Sequence, residues 1–317
     1  MKNIKKYIIV VAILFVCNPI LQSQSYYHNE FTVSLGLGSS ALKYQIKNQE
    51  NSKSGFGWQL GAGYSHYFNR MFGISLGLEA AGFSSSIEIP ALSFDQRIQT
   101  PPGLSGNFSL KANYDGLKES QTATFLQIPV MLQFQFPIDK KDFFFLGAGL
   151  KAGFPVSSKW NQDITKLTTT GYSDFANQQL TDMPNHGFST YSNSSASGKL
   201  KIKSPVFLAL EGGLKFGIGQ GKSLYAGLFL DYGLSDIYKA PAANTSLLVY
   251  NNDSPADYIH NSVLAANQFS VINGIKPFAV GVKFKLGFGM GKTIKPAPKA
   301  VVPKDKEQKP EPVWGWE

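Results

Sequence analysis

Cysteine is nearly missing from this chain of 317 residues: the only one, Cys17, sits in the apolar run that opens the sequence. With that run discarded as a leader, the remainder has no thiol, no disulfide and no cysteine-held metal. Long hydrophobic runs are missing too. The opening run covers residues 7–16, about half of what a spanning helix needs, and nothing later comes near the roughly 18 consecutive apolar residues of a transmembrane helix. Charge is sparse, at 16% of residues. The formal balance of +9 includes Lys2, Lys5 and Lys6 at the start and six lysines beyond Phe288. No dense Lys/Arg run occurs in the body of the chain, so the charge gives no footing for nucleic acid as a partner.

Chemistry-bearing motifs are equally scarce. His28, His66, His186 and His260 have no ligand spacing, and no metal or cofactor is expected. Glycine-rich pieces such as Leu35-Gly36-Leu37-Gly38 lack the Lys-Ser/Thr and the helix that a phosphate loop requires. His186-Gly187-Phe188-Ser189 is the one place where a base stands close to a nucleophile, and no catalytic residue is assigned.

What the sequence does have is a leader and an alternation. Lys2, Lys5 and Lys6, the apolar run and the small or polar Leu21-Gln22-Ser23-Gln24-Ser25 form the three parts of a secretory signal, with cleavage expected after Ser23. The bulky Phe15 and Val16 before Cys17 argue against a lipoprotein signal. Eight stretches then alternate with period two: residues 30–38, 55–68, 72–83, 122–136, 143–156, 204–218, 223–237 and 276–288. Successive side chains of a strand point to opposite faces, so each stretch has one apolar face and one face of Gly, Ser, Gln and a few charges. In the fourth, Leu126, Ile128, Val130, Leu132, Phe134 and Phe136 share a face. Such uniform apolar faces suit lipid, with the small and polar residues turned into a closed barrel.

The gaps take turns. Residues 69–71, 137–142 and 219–222 are short connections; 39–54, 84–121, 157–203 and 238–275 are long. Within the long ones Leu200 and Ile202 stay in phase with Val206 and residues 108–114 alternate weakly, so strands that project above the membrane are expected there. Outer-membrane barrels have short periplasmic turns and longer external loops. The expected fold is therefore all-β: an eight-stranded antiparallel transmembrane β-barrel over residues 24–288, with both mature termini periplasmic. A ten-stranded barrel that uses residues 246–250 and 269–272 is the structural alternative, although those pieces are short for a crossing. Residues 289–317, with Pro296, Pro298, Pro303, Pro310 and Pro312 among lysines, read as an extended periplasmic tail. Trp314 and Trp316 are its candidate anchors for a periplasmic partner; the alternative is a tail with no partner.

The inward faces carry Glu79, Lys151, Glu211, Lys215, Asp231, Lys283 and Lys285. Eight strands leave a lumen just wide enough for side chains to fill, and opposite charges there offset each other's desolvation. A filled lumen is expected. The alternative is a gated ion path in which pairs such as Glu211 and Lys215 exchange partners.

Phe125-Leu126-Gln127-Ile128-Pro129-Val130-Met131-Leu132-Gln133-Phe134 resembles the "YLxIPLLLKY" strand of the PorT-like outer-membrane β-barrel domain. Residues 143–154 look like that family's following glycine-rich strand. Tyr232-Gly233-Leu234-Ser235-Asp236-Ile237 is similar to its penultimate-strand ending. The resemblance implies an eight-stranded barrel of the OmpA/OmpX shape and brings no reaction with it. It suggests an accessory barrel of a protein secretion system as one role. Gly281-Val282-Lys283-Phe284-Lys285-Leu286 resembles the last-strand signal read by the outer-membrane assembly machinery. The expected partners are outer-membrane lipid, that machinery, an external ligand at the four long loops and a periplasmic partner of the tail. The loops are rich in Ser, Asn, Thr and Tyr, a composition suited to adaptable polar contact. The expected role is envelope structure or surface binding and adhesion, without turnover. A secretion accessory or narrow channel is the alternative, and a lipid- or peptide-cleaving barrel is a third reading.

Overall fold

The computed structural model describes residues 26–47, 52–98, 108–139, 141–240, 245–269 and 271–294. Eight long strands form a ring: β1 (Tyr26–Ile46), β2 (Lys53–Tyr67), β3 (Phe72–Ile98), β4 (Phe108–Pro137), β5 (Phe143–Ser173), β8 (Val206–Gly219), β9 (Lys222–Gly233) and β12 (Val271–Ile294). Each pairs antiparallel with its neighbour, and β12 closes the ring against β1 from Tyr26↔Ile294 to Ile46↔Val271. Four short strands lie outside it: β6 (Gln178–Leu180), β7 (Thr190–Lys199), β10 (Leu248–Val249) and β11 (Ile259–His260). The eight-stranded antiparallel barrel expected from the alternation is the observed fold.

The apolar faces point outward all round the ring. Leu60 of β2, Leu76 of β3 and Leu228 of β9 are 53%, 58% and 65% exposed. An apolar belt of that extent would be untenable in water, and it is the surface a bilayer requires. On β4 the belt runs from Leu126 to Phe136. That length rises about 34 Å along a strand, or about 24 Å across a membrane at a 45° tilt, which matches the apolar band of such barrels. Substituting Leu228, near the middle of the belt on β9, with arginine is expected to cost about 2–4 kcal/mol in a bilayer. The urea midpoint of folding into vesicles measures it. An unchanged midpoint would mean that this face does not meet lipid.

The long connections are largely not loops. The β3–β4 ladder continues without a break from Ser84↔Thr122 to Ile89↔Leu117 and on to Ile98↔Phe108. β4 and β5 stay paired up to Phe108↔Ser173, and β7 adds to the upper part of β5. Beyond the belt the polarity of the two faces inverts. Ser84, Ser86 and Glu88 now face out, while Ile87, Ile89 and Leu117 are buried inside. The described residues of the expected loops 84–121 and 157–203 thus largely form a β-tower above the barrel. The ladder skips the pair Gly116 (φ +79°) and Pro90 without a change of register, and beyond it Tyr114, Ala112 and Leu110 take the inner face of β4.

The last long connection folds back as a cap. β10 pairs only with β11, outside the ring, and Val271 already belongs to β12, which overturns the ten-stranded alternative. Leu247, Leu248, Val263, Leu264, Ala266 and Phe269 are buried against Leu117, Trp160, Ile164 and Leu167 of the tower's inner face. Asp236 accepts the N–H groups of Tyr238 at 2.8 Å and Ile275 at 2.7 Å, tying the two ends of the connection together. Gly274 (φ +71°) packs on that carboxylate so closely that a Cβ would lie 2.3 Å from Asp236 Cγ. The boundary of the tail also moves, since β12 runs to Ile294 rather than ending at Phe288. The leader, residues 1–23, and Trp314 and Trp316 lie outside the described residues.

Candidate functional site

The strand period delivers charges to the lumen. Glu79 of β3, Lys151 of β5, Glu211 and Lys215 of β8, Asp231 of β9, and Lys283 and Lys285 of β12 all point inward, with side chains between 1% and 12% exposed. Six of them form one chain. Lys151 Nζ donates to Asp231 Oδ2 and to Glu79 Oε1, each at 2.8 Å. Lys283 Nζ donates to Glu79 Oε2 at 2.7 Å and lies 3.9 Å from Glu211 Oε2, and Lys285 bonds Glu211. Gln59 adds a donor to Asp231 at 2.5 Å, and Gln133 adds one to Glu211 at 3.1 Å.

Lys215 stands apart. It donates to Glu30 Oε2 at 2.9 Å, and the Tyr225 hydroxyl donates to the same carboxylate. The exchange between Glu211 and Lys215 that the alternative reading invokes has no geometric basis. Four residues along a strand separate two side chains by about 13 Å, whereas the same spacing on a helix would make them neighbours. Glu30 belongs to the network and was not foreseen, although it shares the inward parity of Thr32, Ser34 and Gly36 on β1. With it, four carboxylates face four ammonium groups. The free space bordering Glu79, Lys151, Glu211 and Lys283 is a cavity of about 60 Å³, room for a few waters and for no organic solute.

Aromatic rings close the lumen above the charges. Phe83 lies 5.5 Å from Phe125 and 5.6 Å from Phe207, ring centre to ring centre. All three are buried, as is Phe229. Above this layer the tower holds one more acid, Glu119, which is fully buried. Its Oε1 accepts Ser262 Oγ at 2.6 Å and Gln121 Nε2 at 2.8 Å. Its Oε2 accepts the Val263 N–H and Gln162 Nε2, both at 2.7 Å. Two of these donors come from the cap and two from the tower, so the carboxylate joins them. Burial pushes Glu119 above the usual carboxylate range, against the pull of its four donors. In the cap itself burial pushes the His260 imidazole down. Glu119 escaped notice because it fell in a stretch taken for a loop.

The tip is closed by Phe108, Phe188, Tyr250 and Tyr258, with Phe108 and Tyr250 rings 5.1 Å apart. His186 and Ser189 share no hydrogen bond among the described residues; the His186 and Gly187 carbonyls instead accept the hydroxyls of Tyr250 at 3.1 Å and Tyr258 at 2.7 Å. Among the described residues no cluster of three or more His, Cys, Asp or Glu is placed to hold a metal.

The family described as outer membrane protein beta-barrel domain matches residues 22–239. No curated protein sequence matches the chain. Among solved structures, the outer membrane protein OprG from Pseudomonas aeruginosa is similar over 83% of this chain and 99% of its own, at 12% identity and a TM-score of 0.34. The N-terminal β-barrel domain of Pseudomonas aeruginosa OprF is similar over 84% and 100%, at 10% identity and a TM-score of 0.26. Ail, the attachment invasion locus protein of Yersinia pestis, solved with the heparin analogue sucrose octasulfate, is similar over 81% and 99%, at 12% identity and a TM-score of 0.25. The matched stretch covers well over half of the chain and holds seven of the eight ring strands, β1 to β5, β8 and β9: the protein belongs to the outer membrane protein β-barrel domain family.

Proposed function

We propose that this protein is a sealed outer-membrane barrel whose working surface is the capped tower, serving envelope structure or surface binding. The observation that carries this reading is the tower. β3, β4 and β5 continue well past the belt, and the segment 245–269 fills their inner face instead of leaving a vestibule. A conducting barrel would need a continuous wet path. Here the lumen is occupied first by paired charges, then by the Phe83–Phe125–Phe207 layer, then by the cap. The short turns and both ends of the ring lie together, with Tyr26 paired to Ile294. We place that end in the periplasm and the tower outside the cell.

Two measurements test this. In planar bilayers the purified protein is expected to show no steady conductance; open events that admit small organic solutes would replace the sealed reading with a channel. Sidedness is read from single cysteines, which stand alone once the leader with Cys17 is removed. Phe175→Cys at the tower's tip is expected to react with an impermeant maleimide on intact cells. Asn69→Cys in a short turn is expected to react only after lysis. The opposite pattern would turn the barrel over.

A further inference from the structure

A second, larger cavity of about 430 Å³ lies where the cap meets the rim of the barrel. Its walls include Lys199 and Lys201 on the descent from β7 to β8, Lys239 at the start of the last long connection, and Leu264 and Asn261 of the cap. Its height on the barrel is fixed by hydrogen bonds. Ile202 bridges Tyr238, Lys203 N–H donates to Ile237 O at 3.0 Å, and Leu234 N–H donates to Val206 O at 2.7 Å. Val206 at the start of β8 and Leu234 just past the end of β9 are the uppermost belt residues there, 40% and 49% exposed. The cavity therefore opens at the upper edge of the apolar belt, level with lipid headgroups.

Its charge is one-sided. Lys199, Lys201 and Lys239 line it, and among the described residues no carboxylate does. Among the described residues none of Lys159, Lys199, Lys201, Lys203 and Lys239 has an ion-pair partner. The nearby Asp236 is occupied by two backbone N–H groups. Lys199 is moreover the register partner of Lys159 across β5 and β7. Like charges directly opposite in a sheet are unfavourable, and an anion bound between or beside them relieves that cost. Leu200, Ile202, Leu264 and Ile275 supply an apolar side to the same cavity, which suits an amphiphile better than a free ion.

We infer that this cavity binds the phosphorylated headgroup of an outer-leaflet lipid, with Lys199, Lys201 and Lys239 on the phosphate. The inference extends the proposed function, because it depends on the tower facing outward. Each lysine near an anionic surface is worth roughly a factor of five in affinity, so losing two costs about thirtyfold.

The test uses the purified full chain in detergent, titrated with diphosphoryl lipid A, with its dephosphorylated form and with inorganic phosphate, and read by native mass spectrometry. The wild-type protein is expected to hold the diphosphorylated lipid well above the dephosphorylated one. K201Q/K239Q is expected to lose about thirtyfold, while K53Q/K118Q, on two lysines that pair with Glu88 and do not line the cavity, is expected to bind like the wild type. Equal binding of the two lipids, or an undiminished K201Q/K239Q, overturns the site. Inorganic phosphate competing at the lipid's own concentration overturns its lipid character. Binding in detergent together with inverted maleimide labelling in cells would keep the site and reject the sidedness, so the two failures are separable.

Discussion

Replacing Lys151 with methionine is expected to lower the stability of the folded barrel by about 3–5 kcal/mol, the cost of breaking a buried ion pair by removing one partner. Lys151 is the bridge between Glu79 and Asp231, bonded to both at 2.8 Å and 3% exposed. Methionine fills much the same space, so the loss measures charge rather than volume. Glu79 keeps Lys283 in the variant, but Asp231 is left with Gln59 as its hydrogen-bond donor. The urea midpoint of folding into lipid vesicles reads the loss, with an unchanged slope as the sign that the folded state is still a closed barrel. The double variant K151M/D231N should recover most of it, since the remaining Glu79, Lys283, Glu211 and Lys285 are balanced two against two. Simple additivity of the two single losses would contradict a coupled network. A deficit below about 1 kcal/mol, the scale of solvated pairs, would mean that water reaches these groups and that the lumen is not sealed.

The same residues show how far the sequence could be read. The ring was legible because, inside the belt, lipid enforces one rule on every strand: Leu126, Ile128 and Val130 share a face on β4 just as Leu224, Ala226 and Leu228 do on β9. Seven of the lumen charges follow from that parity alone. Their partners do not, because which carboxylate meets which ammonium depends on strand stagger around the ring; Lys215 meets Glu30, 185 residues away, and not Glu211 on its own strand. The tower was legible only in part, in the weak alternation of residues 108–114, and for a different reason. At Ser84 and Thr124 the environment of the outer face changes from lipid to water, the apolar residues move to the inner face, and at Gly116 that inner face passes to the other parity while the strands keep their register. A search for strands with apolar outer faces stops at each of these points and reports a loop. The cap had no period to find: its 3-10 turn Val263–Ala265 is held by a carboxylate on β4, 144 residues away from Val263.

That carboxylate supports the second large effect. Glu119→Ala is expected to weaken docking of the cap by about 4 kcal/mol, on the scale of losing two hydrogen bonds from the cap to a charged group. The alanine leaves the Ser262 hydroxyl, the Val263 N–H and the Gln121 amide without the acceptor they share, while Gln162 Nε2 keeps its bond to Asn261 O at 2.9 Å. Each buried donor left bare costs on the order of 1–3 kcal/mol, offset in part by the desolvation of the carboxyl that is no longer required. Hydrogen exchange at the Val263 and Leu264 amides measures docking directly, and about 4 kcal/mol corresponds to roughly a thousandfold faster opening. The β3–β4 ladder below Glu119 is expected to keep its protection, which separates release of the cap from unfolding. A pH dependence carries the opposite sign to that of a salt-bridged acid. Because burial raises the docked carboxyl above its solvated value, protonation favours the docked cap. Docking is fullest below the ordinary carboxylate range and weakens as pH rises through the raised range of Glu119. The alanine variant should lose this slope along with the protection. Unchanged exchange at Val263 in Glu119→Ala would mean that the apolar contacts of Leu247, Leu248 and Leu264 hold the cap without the carboxylate, and that Glu119 is a buried acid with no share in shaping the exposed surface.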